Sequence, residues 1–175
     1  EEVEGEKALE WVEARNATSV ATLSKQPEFE PIKAKTLEIL DSKERIPYVR
    51  VRGEHLYNFW RDADNPRGLW RRTTLDDYRT EDPTWEIVLD VDALGKADGE
   101  SWVWKGASCL APEYRHCVVA LSRGGGDAVV QREFDTVEKS FVEGGFALPE
   151  AKSDVAWRDA DTVWVGTDFG EGSLT

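Results

Sequence analysis

The sequence contains no methionine, two cysteines and two histidines among its 175 residues. Two cysteines are too few for a disulfide scaffold or for a zinc site of the usual four-ligand kind. No run approaches the roughly 18 consecutive apolar residues of a transmembrane helix. These absences argue against a small disulfide-rich domain, a zinc module and a membrane-spanning protein.

Positive charge is also scarce. The chain has 22 lysine and arginine residues against 35 aspartate and glutamate residues, which gives a formal net charge of −13. Binding to a nucleic-acid backbone or to an anionic membrane surface depends mainly on lysine and arginine. We therefore expect no nucleic-acid partner and no membrane partner. Acidity names no partner by itself, because a strong net charge mainly keeps a protein soluble.

The two cysteines, Cys109 and Cys117, fall on two strands predicted to be adjacent. A disulfide between them is therefore geometrically possible. We predict instead two free, small and buried apolar side chains, because free cysteine is among the most buried residue types. This interpretation fits a reducing compartment, so we expect a cytoplasmic protein, with the periplasm as the alternative.

The usual motifs of nucleophilic and nucleotide chemistry are missing. His55 and His116 each begin a predicted strand, and no neighbouring nucleophile or orienting carboxylate is evident, so both are interpreted as structural. The string nearest to a Gly-x-Ser-x-Gly elbow ends at Ser173 with no strand-to-helix turn behind it. The glycines before Asp127 lack a following helix and a lysine, so they predict a hairpin loop and no phosphate site.

Carboxylates are abundant, and two close pairs are candidates for calcium ligands. Asp76 with Asp77 and Asp159 with Asp161 lack the positioned glycine and the bidentate glutamate of a calcium loop. Both pairs are interpreted as solvated charges in turns. We therefore assign no catalytic, cofactor-binding or metal-binding residue to this chain, and we expect no cofactor.

What the chain does contain is a repeated layout of strand, turn and strand. Apolar second strands are predicted at His55–Arg61, His116–Ser122 and Thr162–Thr167, at intervals of roughly 45 to 60 residues. A third strand follows the first two, at Gly68–Thr73 and Asp127–Phe134. Such periods, with about four strands each, are typical of the blades of a β-propeller. Because a ring needs at least about four blades to close, the chain holds roughly two and a half.

Further strands complete these units. They are predicted at Pro47–Arg52, Trp85–Asp90, Ala107–Leu110, Ser140–Val142 and Ser153–Trp157. The sequence therefore predicts a mainly β fold, a partial propeller of four-stranded antiparallel meanders. The pentapeptide Trp-Arg-Asp-Ala-Asp occurs twice, but its two copies lie on opposite sides of the second strand of their units, so the match is interpreted as a coincidence.

The first 45 residues differ from the rest. Apolar spacing predicts one helix over Glu4–Ser24 and a second over Pro31–Ser42, with a break near Pro27. Two helices of this length are not stable alone in water, so their apolar sides must pack on other material. We predict a helical segment over residues 1–45 and a partial propeller over residues 46–175.

Eight tryptophans are a high count for this length. Large aromatic side chains on strands commonly fill the space between stacked sheets. We therefore predict core positions for the seven that fall in predicted strands: Trp60, Trp70, Trp85, Trp102, Trp104, Trp157 and Trp164.

Three stretches, in order, carry a resemblance to a known family. They are Leu9–Asn16, Trp104–Asp127 and Val163–Thr175, and with the meanders between them they resemble the N-terminal region of the prolyl oligopeptidase family of serine peptidases. The resemblance covers essentially the whole chain. It implies a seven-bladed propeller inserted near the start of an α/β-hydrolase domain, where the propeller limits access to short peptides that are cleaved after proline.

The resemblance also sets limits. The family's Ser, Asp and His triad lies in the hydrolase domain, and none of it maps onto this chain, so no catalytic residue and no substrate contact is carried over. We expect the chain to be an inactive gating and scaffold fragment of a longer peptidase. Its partners would be the hydrolase domain, the later blades and short peptide substrates, and its uncovered faces would favour self-association.

Two other functions remain open from the residues alone. A propeller with no enzyme attached would serve as a protein-interaction module. A carbohydrate-binding β-sandwich would use surface tryptophans, and quenching of tryptophan fluorescence by glycans would favour it.

Overall fold

A computed structural model describes residues 5–42 and 44–167. These residues belong to two compact units, one that extends to Glu44 and one that begins at Arg45. The first unit is helical, and the second contains all the described strands.

The helical unit consists of α1 (Glu6–Leu23) and α2 (Phe29–Asp41). Both helices were predicted, although the predicted start at Glu4 lies outside the described residues. Pro31 falls within the first turn of α2, where a missing backbone N–H costs little. No residue of either helix is buried. Their apolar side chains, such as Trp11 at 64% exposure, are left uncovered.

The first sheet is an antiparallel meander with the strand order β1-β2-β3-β4. Its register pairs Phe59 with Trp70 and Asn58 with Arg71, so each pair shares one face of the sheet. All four strands were predicted to within a few residues, and β3 matches its prediction closely. Their bounds are Arg50–Arg52 for β1, His55–Trp60 for β2, Leu69–Thr74 for β3 and Glu86–Asp90 for β4.

Two short helices flank β4, and the sequence analysis predicted neither. The helix α3 (Leu75–Tyr78) is capped by the Thr74 hydroxyl, which accepts a hydrogen bond from the backbone of Asp77. The helix α4 (Val91–Asp98) begins at the Asp90 carboxylate and ends at Gly99, whose φ of 69° is the left-handed conformation that favours glycine. Both helices therefore begin at a side chain that caps the backbone, and α4 also ends at a glycine, as helices commonly do.

The second sheet has five strands rather than the predicted four. The order is β5-β6-β7-β8, and β9 pairs with β7 beyond β8. The outer edge is thus shared by two short strands, because the backbone leaves the ladder between Val142 and Phe146. The bounds are Trp102–Cys109 for β5, His116–Arg123 for β6, Val129–Asp135 for β7, Ser140–Phe141 for β8 and Ala147–Ala151 for β9.

A hairpin of β10 (Asp154–Asp159) and β11 (Thr162–Gly166) follows as the start of a third sheet. Both strands were predicted.

The core lies between the first and second sheets. Tyr57, Trp70 and Val88 of the first sheet pack in one cluster with Val119 and Phe134 of the second. Val119 has no exposed surface and Phe134 is 1% exposed. Burial of an aliphatic or aromatic side chain contributes about 1.5–3 kcal/mol. The two sheets therefore stabilise each other face to face.

The first strands of the three sheets adjoin one another. The Arg52 side chain of β1 donates a hydrogen bond of 2.8 Å to the Ala107 carbonyl of β5. From the other side, the Trp157 indole of β10 donates a bond of 2.9 Å to the Ser108 carbonyl of the same strand. Stacked sheets whose first strands meet are the arrangement of propeller blades around an axis. The fold is mainly β, a partial propeller of antiparallel sheets.

The tryptophans divide between core and surface. Trp70 and Trp102 are 3% and 4% exposed, so the predicted core role is confirmed for them. Trp60, Trp85, Trp104 and Trp157 are half-buried. The prediction was wrong for Trp164, which is 64% exposed, because no described sheet packs against the hairpin on that side.

Cys109 and Cys117 form a disulfide, so the prediction of two free thiols was wrong. The two residues lie directly opposite each other in the β5–β6 ladder, which places their side chains on the same face. That one-residue register is not visible in the sequence.

Within the described residues, no helix is long and apolar enough to cross a membrane.

A basic, aromatic cleft between the first two sheets

A cleft of about 770 Å³ opens between the first two sheets, on the side where β1 approaches β5. The segment before β1 forms one wall, and residues 104–107 of β5 form the other. Arg52 bridges the base of the cleft through its bond to Ala107. The volume falls in the range typical of ligand pockets.

The walls of the cleft are largely aromatic. The rings of Phe59 and Trp104 are stacked at 5.0 Å with an interplanar angle of 9°, so the stack crosses from one sheet to the other. Trp70 lies 5.2 Å from Trp104 and 5.3 Å from Tyr57. These contacts fix the width of the cleft, since each ring is held by its own strand. The aromatic lining consists of Tyr48, Tyr57, Phe59, Trp60, Trp70 and Trp104.

Among the residues that the structure describes, all charged side chains that line this cleft are cations, although the chain as a whole carries a net charge of −13. Low-dielectric walls strengthen the field of such a group of charges. The cleft is therefore a positive site on an acidic protein. The five cations are Arg45, Arg50, Arg52, Arg61 and Lys105.

Arg52 is the most constrained of these cations. Its guanidinium carbon lies 5.3 Å from the ring centre of Tyr57 and 5.5 Å from that of Trp70. Burial lowers the pKa of Arg52, and the electrostatic interaction with Tyr57 offsets only part of that effect. Its Nη1 atom is buried and has no hydrogen-bond partner. An orphan donor on a desolvated cation is unusual, because such groups are normally paired.

A second arginine packs on the opposite face of the first sheet. The Arg71 guanidinium lies 4.4 Å from the ring centre of Trp60 and 4.2 Å from that of Trp85, and its Nε donates to the Asn58 side chain at 2.9 Å. Burial lowers the pKa of Arg71 to about 10, and Asp62 opposes that shift. Arg71 is thus sandwiched and hydrogen-bonded, which makes it a structural element of the first sheet.

The two histidines lie at the starts of β2 and β6, as predicted. His116 has a carboxylate partner that the sequence analysis missed, because its Nδ1 lies 2.9 Å from an oxygen of Glu133 on β7. The other Glu133 oxygen accepts a hydrogen bond from the Phe146 backbone and holds the irregular edge of the second sheet. No serine, threonine or cysteine side chain is bonded to His116 in the part of the chain that the structure describes.

The carboxylate pairs act in turns. Asp77 accepts hydrogen bonds from the Thr73 hydroxyl and the Thr84 backbone, and Asp159 accepts one from the Asp161 backbone. Across residues 5–42 and 44–167, no group of three or more His, Cys, Asp or Glu side chains could hold a metal ion. Among the described residues, these carboxylates therefore serve in turns and hydrogen bonds, and the basic cleft is the candidate site for a ligand.

Comparison with known proteins shows the family to which this chain belongs. A family model described as the prolyl oligopeptidase N-terminal β-propeller domain matches residues 1–168. An uncharacterised peptidase of Sinorhizobium fredii is 45% identical over 175 residues, 99% of this chain and 24% of that protein. An uncharacterised peptidase of Rickettsia prowazekii is 35% identical over 146 residues, 83% of this chain and 20% of that protein.

Solved structures agree with the sequence comparisons. A post-proline cleaving enzyme from Rickettsia typhi superimposes with a TM-score of 0.86 at 35% identity, over 93% of this chain and 25% of that one. Oligopeptidase B from Leishmania major shares the fold, with a TM-score of 0.58 at 14% identity over 95% of this chain and 25% of that chain.

The chain spans a quarter or less of the length of these proteins, and in the solved relatives the domain is part of a larger chain. The relatives named here are peptidases. The resemblance stated from the sequence is confirmed by a match over 168 residues and by the sheet arrangement. The chain belongs to the family of prolyl oligopeptidase N-terminal β-propeller domains.

Proposed function

We propose that this chain is the gating and scaffold part of a longer serine endopeptidase that cleaves short peptides after proline. On this proposal the serine nucleophile and its partners lie on the remainder of the protein, and the 175-residue chain alone is inactive. The support comes from the post-proline cleaving enzyme of Rickettsia typhi, which is 35% identical and superimposes with a TM-score of 0.86.

The geometry of the chain is consistent with a gating role. Two sheets and a hairpin adjoin through β1, β5 and β10, which is too short an arc to close a ring that needs about four blades. The hairpin leaves Trp164 exposed, so a further sheet has a face on which to pack. A closed ring built on this arc would restrict the size of peptides that reach a neighbouring active site.

A paired activity assay tests this proposal. The protein expressed from the complete gene and the 175-residue chain are each incubated with a chromogenic proline-linked peptide. We expect turnover only by the longer protein, and we expect a serine-reactive phosphonate to abolish it. Turnover by the short chain alone would contradict the proposal, as would a longer protein that cleaves other bonds and leaves the proline bond intact.

A further inference from the structure

The Nη1 atom of Arg52 is the one buried side-chain nitrogen or oxygen without a hydrogen-bond partner in the described part of the chain. The other terminal nitrogen, Nη2, is committed to the Ala107 carbonyl at 2.8 Å. A carbonyl satisfies a donor but does not neutralise a charge. Nη1 therefore keeps two N–H donors without a partner, and the guanidinium keeps a positive charge that no carboxylate among the described residues neutralises.

The other cations of the cleft separate into two kinds. Arg45 donates to the Arg61 carbonyl, and Arg61 donates to the Pro66 carbonyl, so these two brace the wall. Arg50 and Lys105 are exposed at the rim and form no ion pair among the described residues. Within the described part of the chain, the Lys105 ammonium has only a long hydrogen bond of 3.4 Å, to the Gly125 carbonyl, which does not line the cleft. The cleft thus presents one deep cation below two cations at the rim.

The chemistry of the ligand follows from these groups. A guanidinium with unpaired N–H donors is suited to a carboxylate, and such charge-assisted bonds are roughly twice as strong as neutral ones. The rings of Trp70 and Tyr57 hold the Arg52 side chain in place, so little side-chain freedom would be lost on binding. The aromatic walls suit the apolar parts of a short peptide.

The location of the cleft supports access by a peptide. Its two walls include β1 and β5, the first strands of their sheets, which adjoin each other and β10. These are the strands nearest the axis when such sheets form a ring. In a closed ring of such sheets the cleft would therefore border the central channel.

We propose that the cleft between the first two sheets binds a peptide carboxylate, with Arg52 as the primary contact and with Arg50 and Lys105 attracting the anion at the rim. This proposal rests on the proposed function only in taking the ligand to be a peptide. The carboxylate can be the C-terminus of the peptide or an acidic side chain, since both present the same planar group to Arg52.

Calorimetric titration of the 175-residue chain with N-acetylated peptides tests the proposal. Acetyl-Ala-Pro-Ala is compared as free acid and as C-terminal amide, and acetyl-Ala-Glu-Ala-amide is compared with its glutamine counterpart. We expect at least one carboxylate peptide to bind about tenfold more tightly than its neutral partner. A preference for the free acid identifies the C-terminus as the source, and a preference for the glutamate peptide identifies the side chain.

Variants locate the binding site. Arg52→Gln should remove the preference for carboxylate, and Arg52→Lys should restore only part of it because lysine lacks the planar fork. Since Arg52 is partly buried, the exposed pair Arg50→Gln and Lys105→Gln provides a second test that does not depend on folding. The double variant should bind the carboxylate peptide about threefold more weakly, and its affinity should depend less on salt concentration. Arg79→Gln, which removes one positive charge as Arg52→Gln does but at an exposed position outside the cleft, is the control.

Equal binding of every charged and neutral pair would overturn the proposal, and so would a carboxylate preference that survives both Arg52→Gln and the double rim variant. These outcomes are independent of peptidase activity, because binding is measured on the short chain. A longer protein that cleaves after proline, combined with a cleft that ignores carboxylates, would reject this inference and leave the proposed function standing. A cleft that prefers carboxylates, combined with a longer protein that does not cleave after proline, would reject the proposed function and leave this inference standing.

Discussion

Trp70 joins the first sheet to the second, and its replacement by alanine tests how strongly the two sheets stabilise each other. The side chain is 3% exposed. From β3 its ring reaches 5.2 Å from Trp104 and 6.0 Å from Phe134, both on the second sheet. Trp70→Ala would leave a cavity at the centre of this contact.

The expected cost follows from that burial. Replacing a buried tryptophan by alanine lowers the free energy of unfolding by about 3–5 kcal/mol. A domain is typically stable by about 5–15 kcal/mol, so the variant would lose a large fraction of its stability. Trp164→Ala is the matched control, because it makes the same chemical change at a side chain that is 64% exposed. We expect it to cost less than about 1 kcal/mol.

Urea unfolding followed by far-UV circular dichroism measures both variants without relying on tryptophan fluorescence. With an m value of about 2 kcal/mol/M, Trp70→Ala should lower the unfolding midpoint by about 1.5–2.5 M relative to the unsubstituted chain. Similar midpoints for the two variants would refute the reasoning, because they would mean that the contact between the sheets carries little of the stability.

Three further predictions concern the cross-link, a surface ion pair and assembly. Thiol titration of the denatured, unreduced chain should find no free thiol, and the Cys109→Ser, Cys117→Ser double variant should lose about 2–3 kcal/mol; two titratable thiols would contradict this. Glu86 has a pKa lowered to about 2 by hydrogen bonds from Arg72 and Lys139. The contribution of Glu86 to the free energy of unfolding is therefore fully present above its ordinary pKa of 4.5, and it is lost as the pH falls toward 2. Glu86 is 44% exposed, so Glu86→Gln should lower the free energy of unfolding by no more than about 1 kcal/mol at pH 7. Chemical denaturation at pH 2 should find no difference between the variant and the unsubstituted chain. The exposed apolar faces should cause self-association, and a concentration-independent monomer in light scattering would count against that.

The strands were predictable because their signals are local. Alternating apolar residues and nearby turn formers placed β2, β3 and β6 almost at their observed bounds. The helix α4 was missed although Asp90 and Gly99 mark its ends, because it is only eight residues long and lies in a short connection between β4 and β5. The strand β9 was missed because proline and exposed positions interrupt its pattern.

The cleft and the disulfide could not be predicted in the same way. Arg52 and Ala107 are 55 residues apart in the chain, and their contact exists only because two sheets stack with their first strands together. The cysteine pairing depends on a register of one residue between β5 and β6. Periodicity indicates which residues share a strand face, whereas stacking and register decide which faces meet.

The central claim is that the first strands of successive sheets adjoin as in propeller blades, and nuclear Overhauser contacts in the labelled chain test it most directly. We expect contacts from the Trp157 indole proton to the backbone around Ser108, and between the rings of Phe59 and Trp104. Contacts that instead pair β1 with β9 or β11 in one closed sheet, as in a barrel or a sandwich, would contradict it.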